Sequence, residues 1–311
     1  MAEGISRIGI SGWRYEPWRG EFYPQGLTQA RELAYASQAL PTIEINGSFY
    51  SLQHPKSWGE WHDHTPEDFV FSVKAPKFIT HVLRLRDART AVANFFASGL
   101  LRLGAKLGPI LWQVPPSLRF DAEQLSDFLA HLPHDTEAAL GLAQQHDDKV
   151  AGRNWLEIDA KRPLRHALEA RHASFADPMV IALLRKHRVA WVVADTAGRW
   201  PEADDVTADF VYIRLHGATA LYESGYSDEE LDRWAARISA WTQGQQPTNP
   251  RLLLSQTAPP RRASRDVFCY FDNTEKLHAP VNAQRLLEKL GLPARPIDPA
   301  LLQRATRRRV A

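Results

Sequence analysis

Cysteine is almost absent from this 311-residue chain, where Cys269 stands alone. No intramolecular disulfide can form, and no cysteine-based metal site can be built. Cys269 lies in the apolar run Val-Phe-Cys-Tyr-Phe, where a buried core thiol is expected rather than a nucleophile. An excess of one charge is also lacking: 38 Lys and Arg face 36 Asp and Glu, for a formal net charge of +2. Any attraction for nucleic acid or phosphate must therefore come from a local patch. No uncharged run approaches the roughly 20 residues of a membrane span. The opening MAEGISRIGISGW lacks the charged-then-apolar profile of a secretion signal. A cytoplasmic protein with no membrane segment is the expectation. Neither G-x-G-x-x-G nor a Walker A sequence occurs. The nearest approach, Gly99 to Lys106, lacks the Gly-Lys adjacency and lies in a helical pattern.

What is present is a hydrophobic content of 44% with 24% charged residues, enough for a sizeable core. The length suits a single α/β barrel, which runs to about 250 residues and more. Short β-like runs alternate with amphipathic segments. Strands are expected at Ile8 to Trp13, Thr42 to Phe49, Phe69 to Ala75, Pro109 to Val114, Leu168 to Arg171, Ala190 to Asp195, Phe210 to His216 and Val267 to Asp272. Helices are expected at about Leu27 to Leu40, Trp58 to His62, Ala93 to Leu107 and Val281 to Leu290. Further helices are expected to open at the caps Asp121, Asp177-Pro178 and the capping box Ser227 to Glu230. His134 to Arg162 reads as an elaborated crossover, and Gly244 to Arg265 as a surface loop. The expected fold is a single (β/α)8 TIM-type barrel over residues 1–295, followed by a basic tail over 296–311.

Each strand is apolar at its start and polar at its end. The polar ends are Glu44 and Asn46; Ser72, Lys74 and Lys77; Gln113; Glu169, Arg171 and His172; Asp195 and Thr196; Arg214 and His216; Asp272 and Asn273. Side chains alternate across a strand, so Glu44 with Asn46, Ser72 with Lys74, Glu169 with Arg171, and Arg214 with His216 share faces. Most such pairs continue the parity of an apolar residue, among them Val70, Leu111, Ala167 and Val193. This places them inside the barrel, the last ones at the mouth, where barrel active sites sit. Charges there need partners, and Glu44, Glu169 and Asp195 are matched by Lys74, Arg171 and Arg214. Read structurally, the same residues form a salt-bridged cap on the core without chemistry.

The ordered motifs of the chain resemble those of the DUF72, or YecE-like, family of TIM-barrel proteins, whose biochemical role is not established. They are Ile10-Ser-Gly-Trp-Arg-Tyr15 with Trp18-Arg-Gly20 and Phe22-Tyr-Pro24; Ile43-Glu-Ile-Asn46 with Ser48-Phe-Tyr50; Phe71-Ser-Val-Lys-Ala-Pro76 with Thr80-His81; and Gln113-Val-Pro-Pro116. Further on come Glu169-Ala-Arg-His172, Ala194-Asp-Thr196, Tyr212-Ile-Arg-Leu-His-Gly217 and Tyr270-Phe-Asp-Asn273 with Asn282-Ala283. Two positions depart from the family pattern. Phe175 stands where Trp often follows the Arg-His motif, and Asp272 stands where Asn is frequent. The resemblance implies a fold and a site at the strand ends, not a reaction.

The leading functional expectation is an enzyme or binder for a small anionic, phosphate-containing ligand. Lys74, Arg171 and Arg214 would hold the anion. Glu169, His216 and Asp195 are the catalytic candidates, with His216 and Glu169 as the acid–base pair. Glu44, Asn46, Gln113, His172, Asp272, Asn273, Tyr15 and Tyr50 would complete the binding site. No cofactor is required. A divalent metal held by Glu44, Glu169, Asp195 and His216 is a lesser alternative, because the adjacent cations compete for the carboxylates. His62-Asp-His64 reads as a solvated helix end. A second class is nucleic-acid binding, with Arg261, Arg262, Arg265 and the tail Arg307 to Arg309 on phosphates and Trp18, Tyr23 and Tyr50 stacking on bases. A non-catalytic interaction protein is the third. The aromatic residues Trp13, Tyr15, Trp18, Phe22 and Tyr23 form either a lid on the mouth or a plug into the outer helices. Tyr222 and Tyr226 are placed to close the opposite side.

Overall fold

Parallel pairing runs without a break around eight strands, and the last strand pairs with the first. The computed structural model describes residues 4–259, 261–274, 277–292 and 295–303. The strands are β1 (Ser6–Ser11), β2 (Thr42–Ile45), β3 (Val70–Lys74), β4 (Leu107–Gln113), β5 (His166–Glu169), β6 (Ala190–Asp195), β7 (Phe210–Leu215) and β8 (Asp266–Phe271). Each is separated from the next by a crossover, most of them helical, so the expected (β/α)8 barrel is the observed fold. Among the described residues no helix is long and apolar enough to cross a membrane.

Pleating divides the apolar residues into two shells. Leu111, Ala167, Ala190, Val192, Tyr212 and Tyr270 are among those that fill the barrel interior, separate from the larger shell between strands and helices. Cys269 points into the outer shell and is fully buried, and burial pushes its thiol up. It is a core residue, as its apolar surroundings suggest.

The helix starts follow their capping residues. Asp121 accepts the Gln124 amide at 3.0 Å, Asp177 accepts the Met179 amide at 2.7 Å, and Ser227 with Glu230 closes a reciprocal capping box. Each satisfies amides that an α-helix leaves orphaned. The helix Asp228–Thr242 then buries Leu231, Trp234, Ile238 and Trp241 on one stripe.

Four expectations are corrected. The second strand stops at Ile45 rather than Phe49, because Asn46 turns to helical angles and a short helix, Gly47–Tyr50, begins. The helix expected over 93–107 is instead Arg89–Ala97, then a 3-10 segment, Leu100–Lys106. Gly99, at φ +104, breaks it where an added Cβ would sit 2.6 Å from Pro55 Cα. The fifth strand starts at His166, two residues early, and ends before Arg171. The elaborated crossover before it contains the helix Thr136–Ala143, capped by Asp135. The start of the basic tail is also anchored: the Asp298 amide donates to Gln38, and Pro299–Gln303 is helical.

Replacing Asp121, Asp177 or Ser227 with Ala is expected to lower stability by about 1 kcal/mol each. Urea unfolding monitored by circular dichroism measures this, with Met179→Ala, at an exposed position, as the near-neutral control.

Candidate functional site

Arg214 is the most connected side chain at the mouth. It sits at the inward-facing end of β7 and is fully buried. Its Nε donates to Glu44 Oε2 at 3.1 Å, and Nη1 to Glu169 Oε2 at 2.6 Å. Nη2 donates to Glu44 Oε1 at 2.8 Å, Asp272 Oδ2 at 2.9 Å and Ser11 Oγ at 3.2 Å. One guanidinium thus ties β7 to β1, β2, β5 and the residue after β8. Glu44 is bound further by the hydroxyls of Ser11 and Tyr212. Tyr212 also meets Ser72 Oγ at 2.6 Å, which donates to the Pro109 carbonyl. Ser72 therefore belongs to the layer beneath the mouth.

Burial alone would push Glu169 and Asp272 upward. The guanidiniums of Arg171 and Arg214 outweigh it at Glu169, and Arg214 with His216 does so at Asp272. Both carboxyls are held well below their ordinary values and are ionised at neutral pH. Arg214 stays charged well above its ordinary value, because Asp272, Glu169 and Glu44 overcome its desolvation.

Two groups of side chains rise from this base. On one side, Arg171 Nε donates to Glu169 Oε1 at 2.7 Å while its guanidinium lies 3.9 Å above the Trp200 ring. Trp200 and Tyr222 meet the buried His216 ring edge-on, at 5.7 and 5.4 Å between centroids. His216 Nδ1 is 3.0 Å from Asp272 Oδ2 and Nε2 is 3.6 Å from Glu169 Oε1, neither with hydrogen-bond alignment. Burial and Arg214 lower its pKa against the pull of the two carboxylates. Tyr222 is held here by a left-handed backbone, φ +66. On the other side, Lys74 Nζ lies 4.4 Å from the centroid of Phe49, which packs against His81, and Gln113 Nε2 is 3.5 Å from His81 Nε2. His81 belongs to a π-helical turn, Phe78–Val82, directly after β3.

The fold brings together Glu44, Lys74, Gln113, Glu169, Arg171, Arg214, His216 and Asp272. Asn46 and Tyr15 join at the edge: Asn46 donates to Ser11 Oγ at 3.0 Å, and the Tyr15 hydroxyl donates to the Ser11 carbonyl at 2.7 Å. Burial, reinforced by Asp272, pushes the Tyr15 phenol up to about 12.

Three candidates lie elsewhere, and Tyr50 stands at the rim, in a cleft it shares with Tyr15 and Asn46. Asp195 is the main correction. The interior of β6 is lined by Ala190, Val192 and Ala194, so Val193 and Asp195 face outward. Asp195 lines a separate polar cleft of about 380 Å³ with Glu202, Arg233 and Arg237. His172 turns aside and caps a 3-10 turn, its Nδ1 accepting the Ser174 amide. Asn273 is fully buried and donates to the Ser224 carbonyl and to Asn282. Tyr50 is 71% exposed.

The donor set does not suit a metal. Glu44, Glu169 and Asp272 converge on the Arg214 guanidinium, which already supplies the cation they surround. Among the described residues no group of three or more His, Cys, Asp or Glu side chains is arranged to hold one. The stacking side chains Phe49 and Trp200 and the polar His81 are not among the expected site residues, whereas Tyr222 stands on the side of the mouth it was expected to close. Phe49 and His81 fall in the motifs Ser48-Phe-Tyr50 and Thr80-His81, but position after a strand end marks a barrel mouth and not a side-chain direction.

The profile described as "Protein of unknown function DUF72" matches residues 7–306. The chain belongs to the DUF72 family. Among curated DUF72 relatives, the UPF0759 protein YunF of Bacillus subtilis (strain 168) is 22% identical, covering 94% of this chain and 98% of its own length. The UPF0759 protein YecE of Escherichia coli (strain K12) is 24% identical over 79% of this chain and 85% of its own. A DUF72 crystal structure from Thermotoga maritima superposes with a TM-score of 0.67 at 24% identity, covering 92% of this chain and 99% of that one. One from Enterococcus faecalis gives 0.67 at 16%, over 95% and 98%. At these identities the structures establish the fold.

Replacing Arg214 with Met leaves three buried carboxyls without their main cation. The expected cost is about 3–5 kcal/mol in urea unfolding at pH 7, with a small effect taken as evidence that the network is dispensable. Because Glu169 and Asp272 lie below their ordinary values, their stabilising contribution is full above about pH 4.5 and is lost on further acidification. In Arg214→Met the buried carboxyls favour protonation, so its deficit against the parent is expected to narrow as pH falls from 6 to 4.

Proposed function

We propose that the barrel mouth binds a small anionic, phosphate-bearing ligand between Lys74 and Arg171, with His216 as the acid–base group. The observation that carries this reading is the imbalance of commitments. The carboxylates of Glu44, Glu169 and Asp272 are all bound to guanidinium, yet Lys74 has no carboxylate within 4.0 Å among the described residues. Arg171 spends its Nε on Glu169, and its terminal amino groups have no hydrogen-bond partner among the described residues. Both side chains are partly exposed. An anion there would meet free cationic donors above carboxylates that already accept hydrogen bonds from Arg214.

His81 fits the same reading. Burial, together with the positive charges of Lys74, Arg171 and Lys77, pushes it down to about 4, so it is neutral at pH 7. The acid–base weight shifts from the expected Glu169 to His216. Glu169 is ionised and saturated by two guanidiniums, whereas His216 is buried with both ring nitrogens unsatisfied. Arg214 changes role too, from anion clamp to support.

The nucleic-acid reading loses three of its residues, while Arg261, Arg262 and Tyr50 remain exposed. Trp18, Tyr23 and Arg265 are buried at 0%, 1% and 3% exposure, so the rings cannot stack on bases and Arg265 cannot track a phosphate backbone. The Arg307 to Arg309 tail lies outside the described residues.

Calorimetric titration with inorganic phosphate, glycerol phosphate and their neutral counterparts tests the proposal. Lys74→Ala and Arg171→Ala are each expected to weaken binding about tenfold or more, since a charge-assisted bond is worth about 1.5–3 kcal/mol. Phosphorylated and neutral compounds binding equally well, or variants that bind like the parent, would refute it.

A further inference from the structure

Charge accounts for only part of what Lys74 offers. Two lysines in the described chain are shifted downward by burial, Lys74 and Lys106. Lys106 precedes β4, at the end of the barrel opposite the mouth. Its Nζ donates to the carbonyls of His62 at 2.5 Å and Thr65 at 2.8 Å, and to the Thr65 hydroxyl. That ammonium has all three of its protons engaged and offers no free amine. Lys74 is the opposite case. It ends β3 at the mouth, on the inward parity of Val70 and Ser72, and is partly exposed. Among the described residues its Nζ has no hydrogen bond and no ion pair, and its one specific contact is the face of Phe49.

An amine with an apolar wall on one side and a guanidinium below it is easier to deprotonate than a solvated lysine. Burial first, then Arg214, bring Lys74 down to about 8, despite the opposing pull of Asp272, Glu44 and Glu169. A larger share of the molecules then carries the neutral amine at pH 7 than for a solvated lysine. Desolvation beside a second cation is the usual way a lysine becomes a nucleophile toward carbonyl carbon. The neighbouring side chains fit such a step. The π-helical turn after β3 sets the neutral His81 against Phe49, and such turns often mark functional sites.

We propose that Lys74 is a carbonyl-reactive amine, condensing through Nζ with the aldehyde or ketone carbon of a small phosphorylated carbonyl compound whose phosphate is held by Arg171. This rests on the anion reading and extends it to a substrate class. The Lys74 ammonium first loses a proton. Its lone pair then forms the C–N bond while the carbonyl π pair moves to oxygen, and proton transfer from nitrogen to oxygen gives a carbinolamine. The hydroxyl takes up the proton released at the start and leaves as water, so ammonium plus carbonyl becomes iminium plus water. No oxidant or reductant is needed. Asp272 and Glu169 are within electrostatic reach of Nζ and stabilise the iminium charge.

The test is borohydride trapping of the full-length protein with glycolaldehyde phosphate and dihydroxyacetone phosphate, beside glycolaldehyde and dihydroxyacetone, read by peptide mass spectrometry. Lys74 is expected to be labelled at least tenfold more than the exposed Lys56, with a labelling midpoint near pH 8. Lys74→Arg should lose the adduct at this position without gaining one elsewhere, and Arg171→Ala should reduce labelling by the phosphorylated compounds to the level of the unphosphorylated ones. Labelling of Lys74 no stronger than Lys56, in a protein that binds inorganic phosphate by calorimetry, overturns the amine chemistry and leaves the anion reading standing. Equal labelling by phosphorylated and unphosphorylated compounds overturns the pairing with Arg171, and the anion reading with it.

Discussion

One buried guanidinium sets the character of the whole mouth. Arg214 pairs with Glu44, Glu169 and Asp272 at once, and in doing so links strands that are far apart in sequence. Three carboxylates could not share a space sealed from water without it, because each would pay its desolvation and repel the others. The network also accounts for the Tyr212 and Ser11 hydroxyls, which fill the remaining acceptor sites of Glu44. Asp272 joins this network as a full charge partner.

Saturation below is what leaves selectivity above. With the acids bound downward, the cations that remain open are the ones not used in the network, Lys74 and the outer face of Arg171. The aromatic side chains Phe49 and Trp200 hold these cations by their faces, which orients them without neutralising them. His216 is kept in place by rings and by two carboxylates that are both slightly out of line for hydrogen bonding. A side chain packed this way is positioned without being consumed.

Most of the barrel was legible before any coordinates. Period-two apolar runs alternating with capped helices read as βαβ units, and the caps at Asp121, Asp177 and Ser227 fall where local chemistry requires them. Strand ends were less legible. Whether Asn46 continues an extended chain or starts a helical turn, and whether a helix passes through Gly99, depends on neighbours that approach from elsewhere in the fold. Asp195 was misplaced for a related reason. In β6 both parities are apolar, Val193 on one and Ala194 on the other, so pattern alone cannot say which face is the interior. The closed barrel decides it by putting Ala194 in register with Arg214.

The division follows from the range of the forces. Local sequence determined what short-range physics controls: the strand and helix alternation, the helix starts, the buried cysteine and the gathering of polar residues at strand ends. The tertiary structure alone decided which charges meet. Arg214 contacts residues 45 to 203 positions away in sequence, while Arg171 and Glu169 are near neighbours that only the mouth brings into one network. Composition supplied nearly equal numbers of acids and bases. Closure of the barrel determined that the acids would gather on Arg214 and Arg171 and that Lys74 would stay without an ion pair among the described residues.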